Sequence, residues 1–395
     1  MLEIDQDVLI VGASAAGLST AEALRRGGHR GRLTMLDAEH RRPYDRPPLS
    51  KQLLSGAWEP SRLVLRSDDA LEALNAEWLL GERAEHLQTA TRSVLTSSGR
   101  HLSADAIVLA TGVSPRRLDG YENAPGVHVL RTVDDALTLQ ESLSPGRRLV
   151  VLGNGVLGSE IAATAAGMGV EVALVGRSSG PMASQLGEFA SSLLAAKHTA
   201  AGVRLVEGHH VKDVAVRDGV MAGVALSSGE LLAADDLVVA IGSRPATDWL
   251  VHSELEIDNG IVCDSYCRAA PGIWAVGDIA RWNHRGLGLT RLENRTNAAE
   301  QAIAVAADIL GAGQPYSPIP YFWTDQYDVR IQVHGIVPSH ARLRITDGDP
   351  ADGRFVAVAL TADEEQPVGV LGWGMPKQTR LRRAELQASL TPALI

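Results

Sequence analysis

Val8-Leu-Ile-Val-Gly12-Ala-Ser14-Ala15-Ala16-Gly17 is an apolar run, a turn of small residues and the start of an alanine-rich stretch. It returns later as Leu149-Val-Val-Leu-Gly153-Asn-Gly155-Val156-Leu157-Gly158. Each copy reads as strand, turn and helix, and each leads to a second apolar strand, Arg32–Leu36 in the first and Glu171–Val175 in the second. One glycine-rich turn is a weak signal, whereas two inside βαβ units form a strong one. The first glycine makes the tight turn, the second lets backbone approach a pyrophosphate, and the third lets helix pack on strand. The helix N-terminus then aims unsatisfied N–H groups at the phosphates. Gly12, Ser14, Ala15, Ala16 and Gly17 are therefore expected to hold one dinucleotide, and Gly153, Gly155, Val156, Leu157 and Gly158 another. Ser14 takes the place of the usual second glycine; it is small, and its hydroxyl suits a phosphate.

The strand after each turn bears on which dinucleotide binds. An acid at its end matches a ribose whose 2′-hydroxyl is free. The first module supplies Asp37, with Glu39 close behind, which fits the adenosine ribose of FAD or NAD. The second ends Val175-Gly-Arg177-Ser178 and has no acid. Arg177 with Ser178 suits a 2′-phosphate and tilts this site towards NADPH; a solvated loop arginine fits the same spelling.

A chain of 395 residues is too long for one core, and two or three domains are expected. Its net charge of −10 argues against general binding to nucleic acid or anionic membranes. No apolar run reaches the roughly 18–20 residues of a membrane span. The start, Met1-Leu-Glu-Ile-Asp-Gln-Asp, is acidic and unlike a signal peptide, so a cytoplasmic location is expected. Cys263 and Cys267 suit neither a zinc ribbon nor a thioredoxin-like pair, and no metal site is expected.

Further strand-and-turn signals follow the two modules. Val108-Leu-Ala110-Thr111-Gly112 comes after the first, Val239-Ala-Ile-Gly242 after the second, and Ile273-Trp-Ala-Val-Gly277-Asp278 later still. A carboxylate after such a strand suits the ribityl hydroxyls of a flavin. Pro43-Tyr-Asp-Arg-Pro-Pro-Leu-Ser-Lys51 is unusual; Pro-Pro-Leu-Ser holds Lys51 on a rigid turn.

Taken in order, these strings resemble FAD-dependent ferredoxin reductases, the group that includes putidaredoxin reductase, rubredoxin reductase and the reductases of aromatic-ring dioxygenases. The resemblance also runs through Leu130-Arg131-Thr132, Glu160, Ile241-Gly-Ser-Arg-Pro245, Arg291-Leu-Glu293, Asn297-Ala298 and Pro320-Tyr-Phe-Trp323-Thr-Asp-Gln326. It implies an α/β fold with two Rossmann-like dinucleotide-binding domains, glutathione-reductase-like, plus a small C-terminal α/β domain. The FAD domain would be split over 1–113 and 243–315, the NAD(P) domain would cover 114–242, and residues 316–395 would cover the flavin. By matching position, Lys51 would lie at the flavin, Arg131 near the FAD and Asp278 on the ribityl chain. Glu160 would lie beside the nicotinamide, paired with Lys51, and Trp323 against the ring system. Ala84, Ala110, Thr111, Gly112, Gly242 and Gly277 join the cofactor-binding set on the same ground. Two departures stand near the expected site: Arg295 takes the place of a common aromatic or apolar residue, and the NADH-type acid is absent.

The resemblance implies an enzyme that takes a hydride from NADH or NADPH onto FAD. It then passes single electrons to a small iron–sulfur ferredoxin or rubredoxin feeding an oxygenase. Such chemistry needs position and charge rather than an acid–base dyad. A positive Lys51 would stabilise the anionic reduced ring, and the helix starting near Asn297 would act in the same sense. No cysteine precedes residue 263, which argues against a thiol relay. Lys377, Arg380, Arg382 and Arg383, or Arg291 with Arg295, are candidate docking cations for an acidic ferredoxin. The alternatives are an NAD(P)H oxidase or quinone-type reductase, and a flavin-bound interaction protein under redox control.

Overall fold

The computed structural model describes residues 5–122, 124–217, 220–339, 341–361 and 366–390. The first four residues of the acidic start lie outside that set. The chain divides into two compact units. One comprises Met1–Asp45, Ser61–Ser114 and Ser243–Pro318, and the other Arg46–Pro60, Pro115–Gly242 and Ile319–Ile395.

The first unit is built on a six-stranded sheet. Its order is Arg268–Ala270, Ile273–Ala275, Ala106–Leu109, Val8–Val11, Leu33–Asp37, Glu77–Leu80. Every neighbouring pair is parallel except the outermost, Arg268–Ala270 with Ile273–Ala275. All four residues of Val8–Val11 and of Ala106–Leu109 are buried. That is the unbroken apolar spelling of strands covered on both faces. The helix Ala15–Arg26 leaves the central strand through the glycine turn, and the helix Arg295–Ile309 packs along it. The approach is close: a side chain at Gly27, at the end of the first helix, would strike Leu310. The order in which strands are added reverses about the central strand Val8–Val11, with Leu33–Asp37 and Glu77–Leu80 on one side and Ala106–Leu109 on the other, the switch point where doubly wound sheets place ligands beyond their strand ends.

The second unit repeats the plan. Its parallel sheet runs Arg204–Glu207, Glu171–Gly176, Arg148–Leu152, Asp236–Val239, Val127–His128. The helix Val156–Gly167 follows its glycine turn. The same unit carries a five-stranded antiparallel sheet, ordered Tyr321–Gln326, Val329–Gly335, Pro367–Trp373, Arg354–Leu360, Leu343–Asp349. Alternation along these strands sends two apolar sets to opposite faces. Ile331, Phe355, Leu371 and Trp373 form one core with Met182, Leu186, Ala190 and Leu194, which belong to the segment leading into and along the helix Ala183–Ala200. Val356, Val358 and Val370 meet Leu386 of the helix Pro376–Leu390. The middle segment and the last sheet thus share a hydrophobic core, so they cluster together. Residues 46–60 join this unit, the short 3-10 turn Pro47–Ser50 packing on the helices Val133–Ser142 and Val156–Gly167.

No helix among the described residues is long and apolar enough to cross a membrane.

Candidate functional site

The two glycine turns are copies in three dimensions. The Gly12 amide donates to the Leu36 carbonyl and the Gly153 amide to the Val175 carbonyl, both at 2.7 Å. The Ala110 and Ala240 amides close the other side, donating to Val11 and Leu152, again at 2.7 Å in each case. Gly12 and Gly153 adopt φ of 105° and 112°, in the left-handed region that favours glycine. A Cβ at Gly12 would meet the Ala110 carbonyl, and one at Gly153 the Ala240 carbonyl. A Cβ at Gly17 would strike the Gly12 carbonyl, and one at Gly158 the Gly153 carbonyl. The turn and helix-packing roles assigned to these glycines therefore rest on backbone contacts that no side chain fits between.

The remaining position of the second turn faces open space. A Cβ at Gly155 would meet nothing within 4 Å, so backbone there is open to a ligand. Ser14 and Gly155 are the N-caps of the helices Ala15–Arg26 and Val156–Gly167, and neither supplies a capping side-chain bond. The first-turn N–H groups of both helices are thus not capped by their own N-cap side chain, the arrangement that receives phosphate. Both turns fit a pyrophosphate on this ground. Ala15, Ala16, Val156 and Leu157 stand in those first turns, and Gly277 approaches the first one, its ideal Cβ 3.0 Å from that of Ala16. Gly277–Ile279 is a 3-10 turn directly after the strand Ile273–Ala275, and it carries the half-buried Asp278.

The strand ends differ between modules. Asp37 closes Leu33–Asp37 and accepts the Ala13 amide at 2.5 Å and the Glu39 amide at 2.8 Å. Glu39 accepts the Tyr44 hydroxyl at 2.6 Å. In the second module the dependence runs the other way. Asn154, inside the glycine turn, donates from Nδ2 to the carbonyls of Ser178 at 3.1 Å and Gly180 at 3.0 Å. A side chain at Gly176 would collide with the Asn154 amide. Asn154 fills the room that the side chain of a strand-end acid would need here. Sequence reading passed over Asn154, although a polar residue inside the turn beside a glycine strand end was a readable pairing. Arg177 is exposed just beyond, Ser178 is half-buried, and Glu207 is the register partner of Gly176 on the next strand. An acid therefore does stand at this sheet end, on the neighbouring strand.

Lys51 and Glu160 come together. Lys51 Nζ lies 2.6 Å from Glu160 Oε2, with only 12% and 8% of the two side chains exposed. The Ser50 hydroxyl donates to the same oxygen at 2.6 Å, and Thr324 Oγ1 donates to the other at 2.8 Å. Thr164 Oγ1 donates to the Ser50 carbonyl at 2.8 Å and clips the Lys51 turn to the helix that carries Glu160. Glu160 stands beyond the first helical turn. With Gly155 as N-cap and Val156 first, Glu160 is the fifth helical residue and lies in the second turn, where the dipole has weakened. Its charge is matched by Lys51, Ser50 and Thr324 instead.

The other expected residues fall as follows. Trp323 is half-buried and stacks on Tyr321 with ring centroids 5.9 Å apart. Arg131 precedes Thr132, the N-cap of Val133–Ser142; its amide donates to Asp135, and its carbonyl accepts from Arg46 Nη1 at 2.6 Å. Ala84 opens the strand Ala84–Gln88 and is buried in the core of the first unit. Ala110, Thr111 and Gly112 follow the strand Ala106–Leu109, with Thr111 donating to the Ala246 carbonyl at 3.1 Å. Gly242 follows Asp236–Val239 at φ 97°, open on its Cβ side. Of the basic candidates, Arg382 is held by Asp347 and Glu385, Arg291 by Glu293, and Arg295 by Asp45. Lys377, Arg380 and Arg383 stand exposed on the last helix. Both cysteines are buried; burial raises the thiol of Cys263 and pushes that of Cys267 up to about 12, so neither is a thiolate nucleophile at neutral pH.

Residues 6–302 match the pyridine nucleotide-disulphide oxidoreductase family, and residues 321–393 match the reductase C-terminal family. This chain belongs to the pyridine nucleotide-disulphide oxidoreductase family, in the form that carries the reductase C-terminal domain. Rhodocoxin reductase of Rhodococcus erythropolis is 35% identical over 88% of this chain and 82% of that protein. The ferredoxin–NAD(+) reductase component of the p-cumate 2,3-dioxygenase system of Pseudomonas putida is 32% identical over 95% and 92%. Among solved structures, the covalent putidaredoxin reductase–putidaredoxin complex superposes with a TM-score of 0.91 at 30% identity, covering 97% of this chain and 93% of that one.

Proposed function

We propose that this chain is an FAD-dependent NAD(P)H:ferredoxin reductase that supplies electrons to an oxygenase. The observation that carries the reading is the duplicated phosphate-receiving turn together with the buried Lys51–Glu160 pair. FAD, when bound, accepts a hydride from the nicotinamide and releases its two electrons singly to the iron–sulfur partner. The first module, with Asp37 at its strand end, holds the FAD, and Gly277-Asp278 receives its ribityl chain. The second module holds NADH or NADPH. Lys51 places positive charge where the ring system gains negative charge, in a position poor in water. Glu160 fixes Lys51 and lies beside the nicotinamide, and Trp323 lies against the ring.

The relatives support the pairing of a nicotinamide with a ferredoxin-type partner, since one is named the ferredoxin–NAD(+) reductase component of a dioxygenase system and putidaredoxin reductase is solved in covalent complex with putidaredoxin. The buried, protonated thiols speak against a disulphide relay, despite the family's name. A cytoplasmic location goes with this reading, since the small ferredoxin and the nicotinamide must both reach the enzyme.

The test is anaerobic titration of the purified protein. It should be yellow, bleach with NADH or NADPH, and reduce cytochrome c only weakly until a ferredoxin is added. A colourless protein that takes up no FAD and bleaches with neither nicotinamide overturns the reading. Cytochrome reduction indifferent to added ferredoxin would favour the oxidase or quinone-type alternative.

A further inference from the structure

Beyond the Lys51–Glu160 pair, a line of buried polar groups runs from Glu160 across the second unit. Thr324 Oγ1 donates to Glu160 Oε1 at 2.8 Å. Gln326 Nε2 donates to Thr324 Oγ1 at 3.1 Å. His198 Nε2 meets Gln326 Oε1 at 3.1 Å, and His198 Nδ1 meets the Tyr327 hydroxyl at 2.8 Å. Thr324 and His198 are fully buried, Gln326 is 2% exposed, and Tyr327 reaches solvent at 38%. The line joins two strand residues to a histidine on the helix Ala183–Ala200.

The direction of every hydrogen is fixed. Gln326 Oε1 only accepts, so His198 Nε2 must donate. Burial drives the His198 imidazole down to about 4, the Gln326 bond opposing only in part, so it is neutral at pH 7. A neutral imidazole with Nε2–H leaves Nδ1 to accept, and Tyr327 therefore donates. Thr324 spends a lone pair on Gln326, which turns its own hydrogen to Glu160. Along the line the donors thus point one way and end on a carboxylate oxygen, while the second Gln326 N–H goes to Met182 Sδ at 3.3 Å. An amide at Gln326 has no readily transferable proton, so the line orders groups rather than conducting protons.

We propose that His198, Gln326 and Thr324 are positioning residues for the nicotinamide reaction, holding the Glu160 carboxylate in the one orientation that also fixes Lys51. Glu160 has few other restraints: Ser50 and Lys51 share Oε2, and Thr324 is the donor on Oε1. Loss of Thr324 Oγ1 leaves that oxygen buried without its donor and lets the carboxyl rotate away from Lys51. The inference rests on the reductase reading, because Glu160 gains its role from the nicotinamide beside it.

The experiment compares Thr324→Val with Thr324→Ser in the FAD-loaded protein. Valine keeps the shape and loses the hydroxyl, whereas serine keeps the hydroxyl and loses a methyl. Positioning predicts that flavin reduction at saturating nicotinamide slows about tenfold or more in the valine variant, the loss expected for one hydrogen bond to a charged group. The serine variant should be the faster of the two. A packing role predicts the reverse order, and valine equal to or faster than serine overturns the proposal. If the unmodified protein itself does not bleach, the reductase reading fails instead. A second measurement is independent of turnover. ¹⁵N-histidine NMR, with the resonance assigned by its disappearance in His198→Gln, should show His198 as the neutral Nε2–H tautomer at pH 7. The Nδ1–H tautomer or a cationic ring would break the chain at Gln326 and overturn the proposal even if the valine variant does not fold.

Discussion

Asn154 and Gly176 compete for one volume: the amide of Asn154 lies where a side chain at position 176 would have to start, and it ties down the Ser178 and Gly180 carbonyls. Where the first module has a strand-end acid, the second has a bond made from inside the glycine turn. The difference bears on which nicotinamide is used.

Restoring the acid alone should fail. Gly176→Asp is expected to lower stability by about 2 kcal/mol or more, as overpacking against a buried amide does, whereas Asn154→Gly/Gly176→Asp should fold and favour NADH. Arg177→Glu in the parent should reduce kcat/KM for NADPH relative to NADH by about tenfold. If the NADH-to-NADPH ratio does not move, Arg177 lies off the 2′-phosphate and Glu207 becomes the group to change.

The two modules can be told apart by one methyl each. Gly17→Ala should give a protein without yellow colour, because the added Cβ strikes the Gly12 carbonyl in the turn assigned to FAD. Gly158→Ala should stay yellow and bleach with dithionite but not with NAD(P)H. Swapped phenotypes would swap the cofactor assignment.

The Lys51–Glu160 pair should show non-additivity. Lys51→Met leaves a buried carboxylate without its cation and should destabilise by roughly 3 kcal/mol. Adding Glu160→Gln should recover most of that stability without recovering the rate of flavin reduction. A double variant no more stable than Lys51→Met, measured by urea unfolding, would mean the pair is not coupled.

Two buried histidines set an acid limit. Burial drives both His198 and His334 down to about 4 from the ordinary 6.5, with Arg383 adding to the effect at His334. An unfolded chain takes a proton on each below about 6.5, and the folded chain does not until about 4, so stability falls as pH drops through that window. Each imidazole contributes up to roughly 3 kcal/mol to the loss. Melting temperature should drop steeply between pH 6.5 and 4.5, and less steeply in His198→Gln; equal slopes would remove His198 from the account.

Docking charge should reside on the free side of the last helix. Arg382 is compensated by Asp347 and Glu385, so the pair to reverse is Arg380 with Arg383. Arg380→Glu/Arg383→Glu should raise KM for ferredoxin about tenfold at low salt and leave ferricyanide reduction alone. Equal loss with both acceptors would place docking elsewhere.

Much of this was legible because it lives in short-range spelling. The turns at Gly12 and Gly153 are readable since only glycine tolerates their φ and their contact with a neighbouring carbonyl. The pairing of Lys51 with Glu160 was reached through resemblance, as 109 residues separate them and no local pattern links them. The partners of Glu160 were not legible: Thr324 looks like an ordinary strand residue until strand and helix are packed. The partners of Arg382 and Arg295 were legible only in part: Glu385 stands three residues from Arg382, but Asp347 and Asp45 lie 35 and 250 residues away from their arginines. The last sheet's union with the middle segment depends on which face of each strand meets Leu186 and Leu194, which alternation alone leaves open.

The sealed cysteines have a practical use. With Cys263 5% exposed, Cys267 not exposed at all, and both thiols held protonated, maleimides and other alkylating reagents should find nothing to label on the native fold. One cysteine introduced on the surface, at Arg380 for instance, would then carry a fluorophore or spin label at a single known address. The wild-type chain is already its own labelling blank.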